Sequence, residues 1–285
     1  MKPNAFFPSL DIGTDPAKIR DWAHAAEDLG YAYIEVPDHV FGAKARDGWV
    51  PLYDEKASFH ETFVTLGFLA AITKTIGLST GILIAPQRQT GVIAKQAAEV
   101  DILSGGRLRL GIGVGWNHVE YAALGADWKT RGARQGEQVE VLRRLWSGDL
   151  VSFTGRFHNL QDVSIVPPPV QRPIPIWFGG SSDAVIRRAA RLGDGWMPIL
   201  APDTQAEQKL GLLRNELKSF GRDPDKFGIE AWLRIHSADP QGWAAAADGW
   251  CRLGAGMVML YPMYRMTSVD DHIETLRRFK EIAIG

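Results

Sequence analysis

The chain has almost no cysteine and no excess of charge of either sign. Its 285 residues include one cysteine, Cys251, and 32 Lys and Arg against 33 Asp and Glu. A single cysteine excludes an intramolecular disulfide and a thiol-rich zinc cluster. Balanced charge argues against a nucleic-acid or membrane-surface partner held by bulk electrostatics. With no apolar run of about eighteen residues and no signal-peptide segment at the start, we expect a cytoplasmic protein.

Several short catalytic motifs are also missing or incomplete. There is no P-loop, and Val64 stands where a zinc-binding H-E-x-x-H pattern needs its second histidine. The glycine run at 111–117 has Trp116 where the third glycine of a dinucleotide-binding loop belongs. Ser79 lies in a G-x-S-x-G match, but the apolar run 76–84 predicts a continuous strand and not the sharp turn of a nucleophile elbow. We therefore expect no metal site and no serine nucleophile.

Short apolar runs, typical of strands buried on both faces, alternate with amphipathic stretches typical of helices. This alternation predicts parallel strands joined by helical crossovers. Eight such units favour a closed (β/α)8 TIM barrel, with an insertion after strand 4 at about 115–172, within a single domain; an open parallel sheet is the alternative. The predicted strands lie at 4–9, 33–36, 76–84, 108–114, 173–180, 194–199, 227–236 and 257–261.

Capping signals predict where several helices begin or end. These signals are Asp15-Pro16 with Gly30, Gly193 after a helix at 183–192, Thr204 with Glu207, Asp239-Pro240, and Ser268 with Asp271. A small hairpin is also expected at 151–158, with Thr154-Gly155 as its turn.

Two polar segments follow predicted strands, where a barrel has its functional face. After strand 2 comes Pro37-Asp38-His39, which offers a carboxylate acceptor and a proton-transfer group. Alternatively, Asp38 caps the loop and His39 only packs. After strand 5 comes Gly179–Asp183, whose glycines and helix start would suit an anion, although an ordinary capped turn explains them equally well.

Two further positions near strand ends are candidates for a binding surface. Gly81, with Ile82, lies in strand 3, where a glycine marks a bulge or a close backbone approach, or else a tight packing position. Trp116 follows strand 4 and is placed to wall a pocket.

Longer segments resemble the luciferase-like flavin and deazaflavin oxidoreductase superfamily. These are EVPDHV at 35–40, the block 78–125 and IPIWFGGSSDAVIRRAARLGDGWMP at 174–198. The resemblance is strong over residues 4–200 and extends to the C-terminal third by pattern only. It implies a barrel with an insertion after strand 4, in agreement with the strand count, and a flavin-type ring at its C-terminal mouth.

The resemblance also implies roles for individual residues. A non-prolyl cis peptide that backs the ring would fall near Gly81–Ile82. The cofactor's phosphate would meet Gly179, Gly180 and Ser181. Asp38 would hydrogen-bond the cofactor, and His39 would assist proton transfer beside hydride transfer.

One departure from the family pattern concerns the substrate. Several deazaflavin dehydrogenases have glutamate directly after the glycine-rich strand, as a second acid/base, but this chain has Trp116 there. A sugar-phosphate substrate is therefore not expected.

The resemblance implies a redox enzyme that uses coenzyme F420, or FMN, to transfer a hydride to or from a small organic substrate. With FMN it would be a monooxygenase supplied by a partner reductase, and a homodimer is common in the family. The alternatives are a non-catalytic flavin- or deazaflavin-binding protein, supported by Trp116, and a flavin-free barrel hydrolase or aldolase.

Overall fold

A computed structural model describes residues 1–235, 240–262, 266 and 268–284 of the chain. It contains a closed parallel barrel and one separate antiparallel hairpin. The strands are β1 (Lys2–Phe6), β2 (Tyr33–Val36), β3 (Gly77–Thr80), β4 (Leu83–Ile84), β5 (Leu108–Gly113), β6 (Val151–Thr154), β7 (Asn159–Val163), β8 (Ile176–Gly179), β9 (Gly195–Met197), β10 (Gly228–Ile235) and β11 (Met257–Pro262).

The predicted TIM barrel is confirmed. Its strands run in the order β1, β2, β3, β5, β8, β9, β10 and β11, and β11 pairs with β1 to close the ring. All these pairings are parallel, and β4 continues β3 by pairing with β5. Because all eight strands run the same way, their C-terminal ends meet at one mouth, where the candidate loops lie.

Helices surround the barrel and follow its strands. They are α1 (Pro16–Asp28), α2 (Thr62–Ile72), α3 (Thr90–Leu103), α4 (His118–Ala123), α5 (Arg131–Leu145), α6 (Asp183–Leu192), α7 (Thr204–Ser219), α8 (Pro240–Arg252) and α9 (Val269–Phe279). No helix in the described part of the chain is both long and apolar enough to cross a membrane.

Most of the predicted caps are confirmed. Asp15 caps α1, Gly193 ends α6, and Ser268 with Asp271 forms a reciprocal capping box at α9. The cap predicted at Thr204 is wrong, because the carboxylate of Asp203 accepts from the first free N–H groups of α7 and Thr204 is already helical. The predicted cap Asp239 lies outside the described residues.

Several strand boundaries differ from the prediction, including those of the first strand, the third strand and the hairpin. The first strand is Lys2–Phe6 and not 4–9, because Pro8 begins a turn. The run 76–84 is not one continuous strand, since it breaks between β3 and β4 at Gly81 and Ile82. In the hairpin, Thr154 pairs with Asn159, so residues 155–158 form the turn and not the second strand.

The segment predicted as an insertion, 115–172, contains a barrel helix as well as extra elements. Helix α5 packs between α3 and α6, where the fourth helix of the barrel belongs. Trp146, at its end, donates from Nε1 to the carbonyl of Ala94 in α3, and Arg143 donates to that of Leu192 in α6. The additions to the barrel are therefore α4 before this helix and the β6–β7 hairpin after it.

A charged layer fills the barrel interior beneath the mouth. Arg109 is buried between Glu35 and Glu230, with Nη2 at 3.0 Å from Glu35 Oε1 and 2.6 Å from Glu230 Oε2. Burial, and then the neighbouring Glu230, hold the pKa of Glu35 well above its ordinary value. A Cβ at Gly81 would lie 2.8 Å from Glu35 Cβ, so this layer directly supports the break in the third strand and explains why a glycine stands there.

Candidate functional site

The carboxylate of Asp38 joins the loop after β2 to the segment after the break in strand 3. Its Oδ1 accepts from Thr62 Oγ1 at 3.1 Å and from Arg88 Nη2 at 2.6 Å. Its Oδ2 accepts from the backbone N–H of Ile84 at 2.9 Å and from Arg88 Nε at 3.3 Å. Because both oxygens already have protein donors, this geometry favours a positioning role. The predicted hydrogen bond from Asp38 to a cofactor stays a prediction.

The neighbouring His39 is held by a second, fully buried carboxylate. His39 Nδ1 lies 3.1 Å from Oε2 of Glu120, which is the third residue of α4. Glu120 Oε1 also accepts from the backbone N–H groups of Val40 at 2.6 Å and Phe41 at 3.0 Å. These bonds fix both the imidazole and the loop that carries it.

The electrostatics of this pair determine which ring nitrogen of His39 carries a proton. Burial raises the pKa of a carboxyl group, but the hydrogen bond and charge of His39, with the N–H groups of Val40 and Phe41, hold the pKa of Glu120 below its ordinary value. An ionised carboxylate only accepts hydrogen bonds, so Nδ1 of His39 must carry a proton. Nε2, which has no partner among the described residues, is then the atom available to a substrate.

Aromatic side chains surround the His39 ring. The ring centroids of Phe59, Tyr53 and Trp116 lie 4.8, 5.6 and 5.7 Å from it. Trp116 also stacks on Trp49 at 6.2 Å. The structure thus brings two predicted residues, His39 and Trp116, together in one aromatic-walled site at the mouth of the barrel.

Ile82 forms an apolar surface where the third strand ends, at the mouth of the barrel. The Gly81–Ile82 peptide bond is cis, at the position implied by the resemblance. The Ile82 side chain packs over Gly113 and Gly179, where a Cβ would lie 2.3 and 2.8 Å from its atoms. Below lies a cluster of large apolar side chains, which are Trp177, Met197, Trp232, Met259 and Tyr261. Gly179 is therefore required by packing against Ile82, whatever its role toward a phosphate.

The loop after β8 presents backbone close to the start of α6. Gly180 has φ +115°, a conformation that side chains rarely adopt, and its carbonyl accepts from Trp196 Nε1 at 2.7 Å. Ser181 Oγ accepts from the backbone N–H of Ile199 at 3.3 Å, and Ser182 caps the helix. The loop is held rigidly by these bonds, with the positive end of the α6 dipole beside it.

Three arginines of α5 and α6, Arg131, Arg134 and Arg188, have no carboxylate partner among the described residues. Arg188 of α6 is close to Gly132 in the first turn of α5, where a Cβ would lie 3.0 Å from its Nη1. Burial, and then the charges of Arg131 and Arg191, lower the pKa of Arg188. The Nε atoms of Arg131 and Arg134 are buried without hydrogen-bond partners among the described residues. This arginine cluster (Arg131, Arg134, Arg188) is an electropositive region suited to an anion.

Sequence reasoning did not find Glu120, Arg88 or Tyr53. The signal for Glu120 was present, since Asn117 caps α4 by accepting from the N–H groups of Val119 and Glu120. Asn followed three residues later by Glu is a helix-start pattern, and a helix that begins after strand 4 must begin at the mouth. In the described part of the chain, no three His, Cys, Asp or Glu side chains are grouped to hold a metal ion.

Comparison with known proteins gives a family and a fold. The family model for luciferase-like monooxygenases matches residues 2–282. Uncharacterised proteins of Mycobacterium tuberculosis and Mycobacterium bovis are 36% identical over 61% of this chain, and the match spans 62% of their length. The F420-dependent glucose-6-phosphate dehydrogenase of Kineococcus radiotolerans is 32% identical over 94% of the chain and 77% of its own length.

A solved structure shows the same architecture. The monooxygenase RslO1 of Streptomyces bottropensis superimposes with a TM-score of 0.84 at 21% identity, over 100% of this chain and 99% of its own. This likeness shows the fold, and the family match over residues 2–282 shows that the chain belongs to the luciferase-like monooxygenase family.

Proposed function

We propose that the chain is an oxidoreductase that binds coenzyme F420 non-covalently at the barrel mouth and acts on a small organic substrate. The observation that carries this proposal is the His39–Glu120 pair, a proton-transfer group held in one orientation at the mouth of the barrel. Bound there, coenzyme F420 would accept a hydride from the substrate or donate one to it.

The residues present fit such a cofactor. The apolar surface of Ile82 would support the ring, and the Gly180–Ser181 backbone with the start of α6 would bind the phosphate. The arginine cluster would bind further negative charge beyond that phosphate. Asp38 would act on the cofactor indirectly, by fixing the backbone at Ile84.

His39 would balance the proton of the reaction. When an alcohol is oxidised, the carbon loses a hydride, the hydroxyl loses a proton and a carbonyl forms. Nε2 of His39 would take that proton, and the ionised Glu120 at Nδ1 would stabilise the resulting imidazolium. In the reverse direction the same Nε2 would return the proton to the alkoxide oxygen.

The arginine cluster favours coenzyme F420 over FMN. FMN ends at its phosphate, whereas coenzyme F420 continues into a tail of several carboxylates that would match the cations of α5 and α6. A relative at 32% identity is also named as F420-dependent. Under this proposal, reoxidation or reduction of the cofactor requires a second enzyme, and the homodimer expected from the family remains part of the proposal.

Two contacts support the proposal over a non-catalytic binder and over a serine hydrolase. The non-catalytic binder was suggested by the missing glutamate at Trp116, but Glu120 places a buried carboxylate on His39. A serine hydrolase would need Ser79 at the mouth, whereas Ser79 is buried in β3 and accepts from Arg109 Nε at 3.2 Å.

Parallel titrations with coenzyme F420 and FMN test the proposal. We expect the purified protein to bind coenzyme F420 more tightly, and Arg134→Gln to weaken that binding about tenfold by removing one charge-assisted contact. The matched control is Arg187→Gln, an exposed arginine of α6 that pairs with Glu216. Tighter binding of FMN would instead indicate a monooxygenase supplied with reduced flavin, and binding of neither would refute the proposal.

A further inference from the structure

The charged layer beneath the barrel mouth contains two carboxyl groups but only one cation. Glu35, Arg109 and Glu230 come from β2, β5 and β10 and are 0%, 1% and 0% exposed. Both carboxyl groups lie on the same guanidinium nitrogen, Nη2 of Arg109, and no second cation contacts either of them among the described residues. Burying an unpaired charge carries a large free-energy cost, so we expect one of the two carboxyl groups to be neutral.

The other neighbours of this layer add no positive charge. The rings of Tyr33 and Trp177 pack against Arg109, with their centroids 4.1 and 4.4 Å from its guanidinium carbon. Asn4 donates from Nδ2 to Glu35 Oε1 at 3.3 Å, but its amide is neutral. Aromatic rings and an amide cannot compensate a second carboxylate, so the charge of the layer must be balanced within the carboxyl pair itself.

One shared proton satisfies both the charge and the hydrogen bonding of this pair. Oε2 of Glu35 and Oε1 of Glu230 are buried without a hydrogen-bond donor among the described residues, although the two side chains are within hydrogen-bonding reach of each other. Two ionised carboxylates only accept hydrogen bonds, whereas a protonated carboxyl donates one O–H to its neighbour. Burial, and then the charge of Glu230, hold the pKa of Glu35 well above its ordinary value, which places the proton on Glu35.

Glu35 also contacts the backbone that carries Ile82. A Cβ at Gly81 would lie 2.8 Å from Cβ and 3.0 Å from Oε2 of Glu35. Ile82 follows Gly81 directly, and its side chain packs over Gly113 and Gly179 at the mouth. The side chain of Glu35 therefore fills the space under the break in the third strand, at the point where the backbone sets the position of Ile82.

We propose that Glu35 is a positioning residue for the apolar surface of Ile82 and that it acts as the neutral, proton-sharing partner of Glu230. Its contact with Gly81 fixes Ile82 at the mouth, and the shared proton allows a second carboxyl group to stay in the barrel beside a single arginine. The inference rests on the proposed function only for the identity of the cofactor that binds to Ile82. The position of Ile82 and the location of the proton are properties of the protein alone.

The pH dependence of stability tests the shared proton without any ligand. Because the pKa of Glu35 is raised above its unfolded value of 4.5, the folded protein holds one more proton than the unfolded chain above pH 4.5, and its stability falls as the pH rises. Glu35→Gln holds no such proton. In chemical denaturation between about pH 5 and pH 8, the unfolding equilibrium constant of the native protein should therefore rise about tenfold per pH unit relative to that of Glu35→Gln.

Two further variants assign this effect to the carboxyl pair. Glu230→Gln leaves Glu35 alone with Arg109, which favours its ionised form, so the same pH-dependent difference from the native protein should appear. The matched control is Glu140→Gln, at a partly exposed glutamate of α5 that pairs with Arg191, and its difference from the native protein should stay constant with pH. A constant difference for Glu35→Gln would show that Glu35 is ionised in the folded protein and would overturn the proposal.

The methyl NMR signal of Ile82 tests the positioning role. In protein labelled at the isoleucine δ1 methyl groups, it is the signal that Ile82→Val removes, and its frequency depends on the aromatic rings packed below it. Glu35→Ala should shift this signal, because the contact of Oε2 with Gly81 is lost. Glu35→Gln, which keeps the shape of a neutral carboxyl, and Ser79→Ala, which removes a different contact of the same layer, should not. Glu35→Asp, which withdraws the carboxyl by one methylene, replaces Glu35→Ala if that variant does not fold.

Titration with coenzyme F420 and with FMN connects the inference to the proposed function. We expect Glu35→Ala to weaken binding of the tighter ligand about tenfold and Glu35→Gln to retain the native affinity. An Ile82 signal that Glu35→Ala leaves unchanged, or that Ser79→Ala moves equally, would overturn the positioning role, as would native affinity in a Glu35→Ala protein whose Ile82 signal has moved. If neither cofactor binds the native protein, the proposed function fails, and the methyl signal and the pH dependence still decide this inference.

Discussion

Replacing Glu120 by glutamine tests the orientation of His39 directly. The carboxylate accepts from His39 Nδ1, from two backbone N–H groups, and from Gln87 Nε2 at 3.3 Å. In Glu120→Gln the amide oxygen retains the two backbone bonds, but the amide NH₂ then faces Nδ1. Two donors cannot pair, so the proton of a neutral His39 should move from Nδ1 to Nε2.

The cost in stability follows from the kind of hydrogen bond that is lost. A buried bond to a charged group contributes about 1.5–3 kcal/mol and a neutral one about 0.5–1.5 kcal/mol, so the substitution should destabilise the fold by roughly 1–3 kcal/mol. For a chain of this length, that lowers the melting temperature by about 2–5 °C. In the proposed reaction, an Nε2 that already carries a proton cannot accept one, and oxidation of an alcohol should slow by about 10²–10⁴-fold.

The assay is nitrogen NMR of protein labelled at histidine, with His39 assigned from the signal that His39→Ala removes. The native protein should show the proton on Nδ1, and Glu120→Gln should show it on Nε2. Glu99→Gln, at an exposed glutamate of α3, is the matched control and should leave the spectrum unchanged. A native His39 with its proton on Nε2, or an unchanged position in Glu120→Gln, would refute the reasoning.

Three further predictions follow from other parts of the structure. His39→Ala should reduce turnover with little effect on cofactor affinity, measured by titration and by absorbance of coenzyme F420 with a panel of secondary alcohols; lost affinity would contradict the proton-transfer role. Gly179→Val should displace Ile82, whose side chain occupies the space of a Cβ there, and so abolish cofactor binding in the same titration while Gly211→Val, at an open helical position, does not. The carboxylate of Glu27 accepts hydrogen bonds from the backbone N–H groups of Lys74, Thr75 and Ile76. Burial raises its pKa, but these hydrogen bonds outweigh burial and lower the pKa to about 2. Because the pKa of Glu27 is lower in the folded protein than its unfolded value of 4.5, the ionised carboxylate stabilises the fold above pH 4.5, and this stabilisation is lost as the pH falls toward 2. Glu27→Gln should therefore reduce the free energy of unfolding at pH 7 by ~1 kcal/mol, after discounting for solvent exposure. It should also make stability depend less on pH between 4.5 and 2 in acid denaturation experiments.

The barrel could be predicted from the sequence because its signals are local and repeated. Each strand is a short apolar run, each helix has its own periodicity, and caps such as Asp15 and the box at Ser268 mark boundaries independently of the rest of the fold. The errors occurred where a neighbour in space decides the outcome. Ile82 breaks the third strand because glycines of β5 and β8 make room for its side chain, and nothing within 76–84 reports those glycines.

The same distinction explains what could be predicted of the candidate site. His39 lies three residues after the end of β2, so the rule that barrel strands end at the functional face was enough to select it. Glu120 lies 81 residues further along and acts only through its contact with His39. The pattern that begins α4 indicates a helix at the mouth, but whether its third residue points to solvent or toward the β2 loop depends on the angle at which α4 leaves β5. That angle is set by tertiary packing, since Tyr121, the next residue, is buried and donates to the carbonyl of Val114. The chain therefore indicates the histidine and a helix that begins at the mouth, whereas the contact between Glu120 and His39 is a property of the folded barrel.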